Sequence, residues 1–294
     1  MADELDVWLR GRRVALVSRQ RDRLDLTYTE SALAEYPLGT PLLSLSLPLV
    51  PQRYTKGRVR PFLDGLLPEG APRRVAAEGF DLLASDTFGL LRALGRECAG
   101  AIVVQPAGDD PPPEPSILAA EPLDDDQLQA LVANLRNAPL GTSPRVRVSL
   151  AGVQEKLVLT RMPDGRWGSP VDGAPSTHIL KPELAEYPAT VANEAFCMRT
   201  ARHLGHPVAH VETTSVGGRP LLVVERFDRE VAADGTVARL HQEDLAQATG
   251  IPPEKKYQMD GGPSLARIAD VRRALDHAVR RRPPRDARRR PASD

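Results

Sequence analysis

Cysteine is nearly absent from this chain of 294 residues. The two cysteines, Cys98 and Cys197, lie far apart and form no CxxC pair, which argues against a disulfide framework and favours free thiols in a reducing cytoplasm. Long apolar runs are absent too, since none approaches the roughly 20 residues that a membrane helix needs. The acidic N-terminus, MADELDVWLRG, lacks the apolar core of a signal peptide. We therefore expect a cytoplasmic protein without a membrane segment.

The chain also lacks an overall excess of charge, because 39 basic residues balance 39 acidic ones. The balance is uneven, since residues 276–294 contain seven arginines and three aspartates. The remaining body has 32 basic and 36 acidic residues, so it is not an obvious nucleic-acid binder.

The arginine-rich segment 276–294 is predicted to be a disordered basic tail. Pro283 and Pro284 break any helix, and three alanines with one valine cannot bury enough surface to order nineteen residues. Such a tail could bind nucleic acid by charge alone. Out-of-frame translation of a GC-rich gene would also yield Arg and Pro, and the 34 arginines against five lysines favour this accidental origin.

The first 104 residues predict an antiparallel β-rich module. Two apolar stretches flank a Gly-Arg turn in LDVWLRGRRVALV, as in a hairpin, and RLDLTY and LLSLSLPL alternate like half-buried strands. A helical stretch, APRRVAAEGFDLLASDTFGLLRALG, follows. Residues 105–116, QPAGDDPPPEPS, contain five prolines and predict a linker between two modules.

The second module, residues 117–275, combines strands with helices. We expect a helix in LDDDQLQALVANLRN, then a three-stranded meander of VRVSLAG, EKLVLTRM and STHILKPE. A further helix, ATVANEAFCMRTARHLG, precedes a hairpin of HVETTSV and LLVVERF. Helices in HQEDLAQATG and PSLARIADVRRAL follow, and the tail does not continue the last one. The pattern predicts an α+β fold.

One loop of the second module has two interpretations. Gly152 in SLAGVQEKLVL can be the turn of a plain hairpin, or it can let backbone N–H groups approach anionic oxygens closely. Lys181 at a strand end can supply a point charge to phosphates. Glu194 on the next helix can hold that lysine by an ion pair. Asp228 is placed to accept from ribose hydroxyls.

Each of these signals is weak alone, because turn glycines and solvated lysines are common. Their order along the chain is more specific. It matches the small lobe of a protein-kinase-like fold, a mixed sheet with helices. His203, His206 and His210 cross a helix end, a proline and a strand start, so they predict no metal site.

Longer motifs resemble the HipA family, the serine/threonine kinase toxins of bacterial toxin–antitoxin pairs. They are SLAGVQEKLVL, THILKPE, NEAFCMRTARHLG, VERFDR and RLHQEDLAQATGIPPEKKYQMDGGPS, with FLDGLLPEG and GRECAGAIVV in the first module. The resemblance runs from about residue 5 to about residue 275. It implies ATP- and Mg²⁺-dependent phosphorylation of serine or threonine on a protein.

The resemblance also implies roles for individual residues. Lys181 would contact the ATP phosphates, Glu225 and Phe227 would offer hinge backbone groups to adenine, and Asp228 would face the ribose. Ser149 would be the autophosphorylation site, where a phosphate of about −1.5 to −2 charges shuts the kinase off. The remaining nucleotide-binding positions would be those of the phosphate loop: Ala151, Gly152, Val153 and Gln154.

The partners that the resemblance implies are two proteins. A small helix-turn-helix antitoxin of the HipB type would bind the chain and connect it indirectly to operator DNA. The protein substrate would be of the kind that some relatives modify, an aminoacyl-tRNA synthetase, whose phosphorylation arrests growth.

Phosphoryl transfer needs groups that this sequence does not offer where the family has them. An aspartate must accept the hydroxyl proton, and an asparagine with a second aspartate must hold the metal. In this family they lie on a helical lobe after DGGPS. The only asparagines here are Asn134, Asn137 and Asn193, all before the hinge. We therefore expect a truncated chain whose large helical lobe is mostly absent, without catalytic residues and with weak ATP affinity.

Two alternatives stay open. The chain could be a non-catalytic binding module that docks the antitoxin with its operator. It could also be a poorly folded remnant, because the small lobe would lack the cover over its inner face.

Overall fold

The computed structural model describes residues 3–21, 23–140, 142–143, 145–152 and 154–280. The first module contains an antiparallel sheet of four strands: β1 (Glu4–Leu9), β2 (Arg12–Gln20), β3 (Arg23–Tyr28) and β4 (Ile102–Pro106). Their order is β3-β2-β1-β4. The predicted first hairpin is confirmed, and its turn residues Arg10 and Gly11 both have positive φ, 52° and 75°, as a tight hairpin turn requires.

Four helices cover this sheet and complete the core of the first module: α1 (Glu30–Glu35), α2 (Lys56–Asp64), α3 (Gly70–Gly79) and α4 (Thr87–Leu94). Two local predictions were wrong here. LLSLSLPL is not a strand, because Ser44 and Leu47 form only an isolated bridge within it. The expected continuous helix from residue 71 to 95 is split into α3 and α4, since Asp86 caps a new helix by accepting from the Gly89 backbone N–H.

The second module is built on a six-stranded sheet. Its strands are β5 (Glu121–Pro122), β6 (Leu157–Arg161), β7 (Trp167–Ser169), β8 (His178–Pro182), β9 (Val211–Val216) and β10 (Arg219–Glu225), in the order β5-β7-β6-β8-β10-β9. The helices α5 (Asp125–Ala133) and α6 (Thr190–His203) contact this sheet.

The sheet corrects two predictions. All its strand pairs are antiparallel, so the expected mixed sheet is wrong for the described strands. The segment 146–152, VRVSLAG, was expected to be its first strand. Instead Val148 makes one parallel bridge to Glu97 of the first module, so the segment belongs to the boundary between modules.

A short hairpin and two helices follow: β11 (Arg229–Val231), β12 (Val237–Arg239), α7 (Leu245–Thr249) and α8 (Leu265–Arg280). Residues 276–280 continue α8, which corrects the prediction that the helix stops at residue 275. Residues 281–294, with Pro283 and Pro284, lie outside the described residues.

The two modules are joined by backbone pairing as well as by the linker. Ser149 N of the second module donates to Glu97 O of the first at 2.8 Å, and Val237 N donates to Pro115 O at 2.8 Å and so ties the end of the linker to the second module. The α7 segment returns to the first module, where Gln247 Nε2 donates to Phe62 O at 2.9 Å. The proline-rich segment is therefore fixed at its C-terminal end. Within the described residues, no helix is long and apolar enough to cross a membrane.

Candidate phosphate-binding site

The loop that follows Ser149 is closed around a lysine. Gly152 has φ +114°, a conformation that glycine adopts without strain. A Cβ placed there would lie 3.0 Å from Lys156 Nζ, so the absence of a side chain makes room for an ammonium. The Glu69 N–H reaches the Gly152 carbonyl at 3.4 Å and connects the loop to the first module.

Lys156 is a site residue that the sequence did not reveal. Its side chain is only 8% exposed, and Nζ donates to Ala151 O at 3.4 Å. No carboxylate forms an ion pair with it in the part of the chain that the structure describes. Burial, and then the charge of Lys181, lower the pKa of Lys156 to about 8, against the smaller opposing effect of the Glu69 carboxylate. A buried ammonium without a counter-ion favours an anionic ligand.

Lys181 and Glu194 meet as predicted. Lys181 lies in β8 opposite Leu222 of β10, and its Nζ donates to Glu194 Oε1 at 2.6 Å. Both side chains are partly exposed, at 23% and 35%. The start of α6 is held by Glu183, whose carboxylate accepts from the Val191 backbone N–H at 2.9 Å. That contact fixes the helix that carries Glu194.

Gly152, Lys156, Lys181 and Glu194 are called the lysine site below. A third lysine lies beside it, since Lys256 contributes to lowering the pKa of Lys156. Lys256 itself is paired, with Nζ 2.8 and 3.0 Å from the two Glu69 oxygens. Three of the five lysines of the chain therefore converge. The sequence gave no local signal for this convergence, because the three lysines are spread over residues 156–256.

Ser149, the predicted autophosphorylation site, is fully buried. Its Oγ donates to Leu66 O at 2.6 Å, and its N–H donates to Glu97 O at 2.8 Å. A kinase could reach this hydroxyl only after the loop had opened. Ala151 and Gln154 are half-buried in the same loop, and Val153 lies outside the described residues.

Asp228, the predicted ribose contact, lies in a buried network of charges. Its carboxylate accepts from Arg226 and Arg229, and from the Gly100 backbone N–H at 2.7 Å. Burial would raise the pKa of Asp228, but the bond to Arg226 and the arginine charges outweigh it and lower the pKa to about 2. A ribose would have to compete with these partners, so the assignment stays a prediction.

Glu97 of the first module completes this network. Its Oε1 accepts from Arg226 Nη1 at 3.1 Å and Arg229 Nη2 at 3.0 Å, and Oε2 lies 2.8 Å from Arg239 Nη2. All five side chains are at most 6% exposed. This arginine cluster, which the sequence analysis missed, consists of Glu97, Arg226, Asp228, Arg229 and Arg239.

The predicted hinge lies at the end of β10. The Glu225 N–H donates to His210 O at 2.9 Å, so this amide is already used within the sheet. The Phe227 side chain is exposed. Over the described residues, no group of three His, Cys, Asp or Glu side chains could hold a metal ion.

Comparison with known proteins covers both modules. The HipA N-terminal domain matches residues 5–105, and the HipA-like C-terminal domain matches residues 148–289. "Putative kinase Y4mE" of Sinorhizobium fredii is 40% identical over 94% of this chain and 69% of its own length. "Serine/threonine-protein kinase toxin HipA" of Shewanella oneidensis is 32% identical over 75% of this chain and 50% of its own length.

A solved structure gives the same result. A chain from the complex of HipA, HipB and operator DNA of Shewanella oneidensis MR-1 is 30% identical and superimposes with a TM-score of 0.71. The match covers 92% of this chain and 60% of that chain. This chain thus spans about half to two thirds of the length of these relatives.

Proposed function

The chain belongs to the HipA family, and we propose that its lysine site binds the phosphates of ATP as part of a serine/threonine kinase. In this proposal the second module is the kinase-like small lobe. Lys181 contacts the phosphates, Glu194 orients it, and backbone N–H groups around Gly152 contact the same anion. Glu225, Phe227 and Asp228 stay the proposed adenine and ribose side of the site.

The observation that carries this proposal is the buried ammonium of Lys156 inside the glycine loop, which no carboxylate of the described residues contacts. Its pKa is lowered to about 8 chiefly by burial, because the surrounding groups replace little of the hydration that the ammonium would have in water. A triphosphate would supply that missing negative charge. The donors present, two ammonium groups and a loop with a positive-φ glycine, suit phosphate oxygens.

We further propose that the chain does not transfer phosphate by itself. Its three asparagines are Asn134, Asn137 and Asn193, so none follows the predicted hinge to pair with a catalytic aspartate. In this proposal the chain corresponds to the nucleotide-holding part of a longer kinase.

Titration calorimetry with ATP tests the proposed site. Lys181→Ala should weaken ATP binding about 10- to 100-fold, because a charge-assisted contact is lost. Lys255→Ala is the matched control, since Lys255 is exposed and outside the lysine site. Equal affinities for both variants, in proteins with unchanged circular dichroism, would contradict the assignment.

Labelled ATP with magnesium tests the proposed lack of transfer. We expect no label on Ser149, whose hydroxyl is buried. Robust magnesium-dependent labelling that Lys181→Ala abolishes would overturn the proposal and make the chain a complete kinase.

A second candidate function is the docking of a HipB-like helix-turn-helix antitoxin on operator DNA, without catalysis. The superposition on HipA from a complex with HipB and operator DNA favours it. A pull-down with the antitoxin separates the two functions. Docking alone predicts that Lys181→Ala retains the antitoxin fully and that wild type shows no ATP binding. An aminoacyl-tRNA synthetase is the proposed substrate of the whole kinase.

A further inference from the structure

Lys256 lies beside the lysine site but has no role in the proposed binding of ATP. It follows the short 3₁₀ helix Pro253–Lys255, and its backbone N–H donates to Pro253 O at 3.2 Å. Its side chain is 28% exposed, and Nζ lies 2.8 and 3.0 Å from the two carboxylate oxygens of Glu69 in the first module. These contacts use at most two of the three N–H donors of the ammonium. Lys256 can therefore donate to a second anion while it keeps Glu69.

The backbone of Lys256 is held in place from both sides along the chain. After it, the Gly262 N–H donates to Tyr257 O at 2.8 Å, and a Cβ at Gly262 would collide with the carbonyl oxygen of Lys256. Only glycine allows this close approach, which gives the DGGPS motif a local purpose. Before it, α7 is attached to the first module, where Gln247 Nε2 donates to Phe62 O at 2.9 Å. Lys256 is therefore fixed against the first module.

The partner of Lys256, Glu69, also contacts the glycine loop. Its backbone N–H reaches Gly152 O at 3.4 Å, and a Cβ on Gly152 would lie 3.0 Å from Lys156 Nζ. Burial and the charge of Lys181 are the largest causes of the lowered pKa of Lys156, but the charges of Glu69 and Lys256 act on it as well. The Glu69–Lys256 pair therefore borders the lysine site.

Two lysine–glutamate pairs thus flank the unpaired ammonium of Lys156. Lys181 lies 2.6 Å from Glu194, and Lys256 lies 2.8 Å from Glu69. In both pairs the lysine is about a quarter exposed. Burial would lower the pKa of Lys256, but the hydrogen bond and the charge of Glu69 outweigh it and raise this pKa. Lys256 therefore keeps its charge at a pH where Lys156 loses its proton.

We propose that Lys256 is a third phosphate-binding residue of the lysine site and that Glu69 is its positioning residue, as Glu194 is for Lys181. This inference rests on the proposed function, the binding of ATP phosphates at that site. A triphosphate offers several anionic oxygens, so it can accept from three ammonium groups at once. The first module then takes part in ATP binding through Glu69, although it does not contact the nucleotide.

Titration calorimetry of the full chain with ATP tests the role of Lys256. Lys256→Met should weaken ATP binding about tenfold or more, because a charge-assisted contact is lost. Lys255→Met is the matched control, since it removes the same charge from the exposed neighbouring lysine, and it should bind ATP like wild type. The loss in Lys256→Met should persist at pH 9.5, because Glu69 keeps Lys256 protonated there.

Two outcomes would contradict the role of Lys256, and they differ in what else they overturn. If Lys181→Ala weakens ATP binding and Lys256→Met binds ATP like Lys255→Met, this inference is wrong and the proposed function stands. If neither Lys181→Ala nor Lys256→Met weakens ATP binding, the proposed function is wrong as well.

Glu69→Gln tests positioning, because it keeps the backbone N–H that reaches Gly152 and removes only the charge that holds Lys256. It should weaken ATP binding several-fold in the wild-type background and cause no further loss in Lys256→Met. The same loss in both backgrounds would show that Glu69 supports the loop independently of Lys256, and tighter ATP binding would show that it repels the phosphates. Either result would overturn the positioning role. Partly exposed ion pairs contribute little to stability, so each variant should stay folded, which its melting temperature checks.

Discussion

The arginine cluster and the lysine site both contain opposite charges, but they differ in how those charges are satisfied. In the arginine cluster every side chain is at most 6% exposed, and both carboxylates accept from several guanidinium groups. In the lysine site the Lys181–Glu194 pair is partly open to solvent, and Lys156 forms no ion pair among the described residues. The first is a permanent contact between the modules. The second is the site for which we propose phosphate binding.

The residue types explain the difference. A guanidinium has five donors in a fixed plane and can bridge two carboxylates and several carbonyls at once, as Arg229 does with Glu97, Asp228, Cys98 O and Gly100 O. An ammonium is a compact charge that loses more hydration on burial, so its pKa falls when no carboxylate contacts it. Arginine therefore suits the buried contact between the modules, and lysine suits the lysine site.

The two regions are also connected. The Glu97 carbonyl accepts from the Ser149 N–H at 2.8 Å, so the residue at the centre of the arginine cluster holds the start of the glycine loop. Disturbing the cluster should therefore alter the loop, while disturbing the lysine site should leave the cluster intact. This asymmetry makes the comparison testable.

The largest effect is expected from Glu97→Gln. The substitution leaves three buried guanidinium groups around a neutral amide, and breaking a buried ion pair in this way costs about 3–5 kcal/mol. Urea unfolding should show that loss. ATP affinity should fall as well, because repacking of the cluster would shift the backbone of residue 97, whose carbonyl accepts from the Ser149 N–H at the start of the loop.

Glu121→Gln is the control, since Glu121 pairs with Arg145 in solvent at 2.8 Å and should change stability by less than about 1 kcal/mol. Burial would raise the pKa of Glu97, but Arg229, Arg239 and Arg226 together lower it to about 2. Its stabilising contribution is thus present above its ordinary pKa, about 4.3, and is lost as the pH falls toward 2. Equal losses of stability in Glu97→Gln and Glu121→Gln would contradict the expected difference between the buried cluster and an exposed ion pair.

Local patterns predicted most helices and strands, and chain order predicted the Lys181–Glu194 pair. Both predictions depend on features that are close together in the sequence: hydrophobic periodicity, helix caps and the order of neighbouring strands. The arginine cluster could not be found this way, because Glu97 and Arg226 are 129 residues apart and meet only when the modules pack. Lys156 was missed for a related reason. A lysine four residues after a glycine reads as the solvated start of a strand, and nothing local in the sequence shows that the glycine loop closes around it.

A smaller effect is expected from the titration of Lys156. Its pKa of about 8 lies below the usual lysine pKa of about 10.4, so the unfolded chain holds more protons than the folded chain between these values. Stability should therefore rise as the pH rises through that window. ATP affinity should fall over the same window, by up to about tenfold per pH unit above 8, because the ammonium that attracts the phosphates is lost.

Lys156→Met should remove both pH dependences and lower ATP affinity at pH 7.5. Calorimetry and urea unfolding at pH 7.5 and 9.5 measure them. Lys255→Met serves as the control, and it should keep both. A wild-type ATP affinity that is flat from pH 7.5 to 9.5 would show that Lys156 does not contact the phosphates, and the lysine site would then resemble the arginine cluster more than we infer.

The smallest effect is expected from Gly152→Ala, which separates backbone strain from contact with the lysine. Alanine at φ +114° costs about 1–3 kcal/mol, and its Cβ would lie 3.0 Å from Lys156 Nζ, at the end of a flexible side chain that can move. Gly165→Ala is the matched control, because Gly165 has φ +84° with nothing within 4 Å of a Cβ. Both variants should lose similar stability in urea, but only Gly152→Ala should weaken ATP binding, by several-fold, since it displaces the ammonium. Equal ATP affinities in the two variants would mean that the glycine serves the turn alone and that the loop does not contact the phosphates.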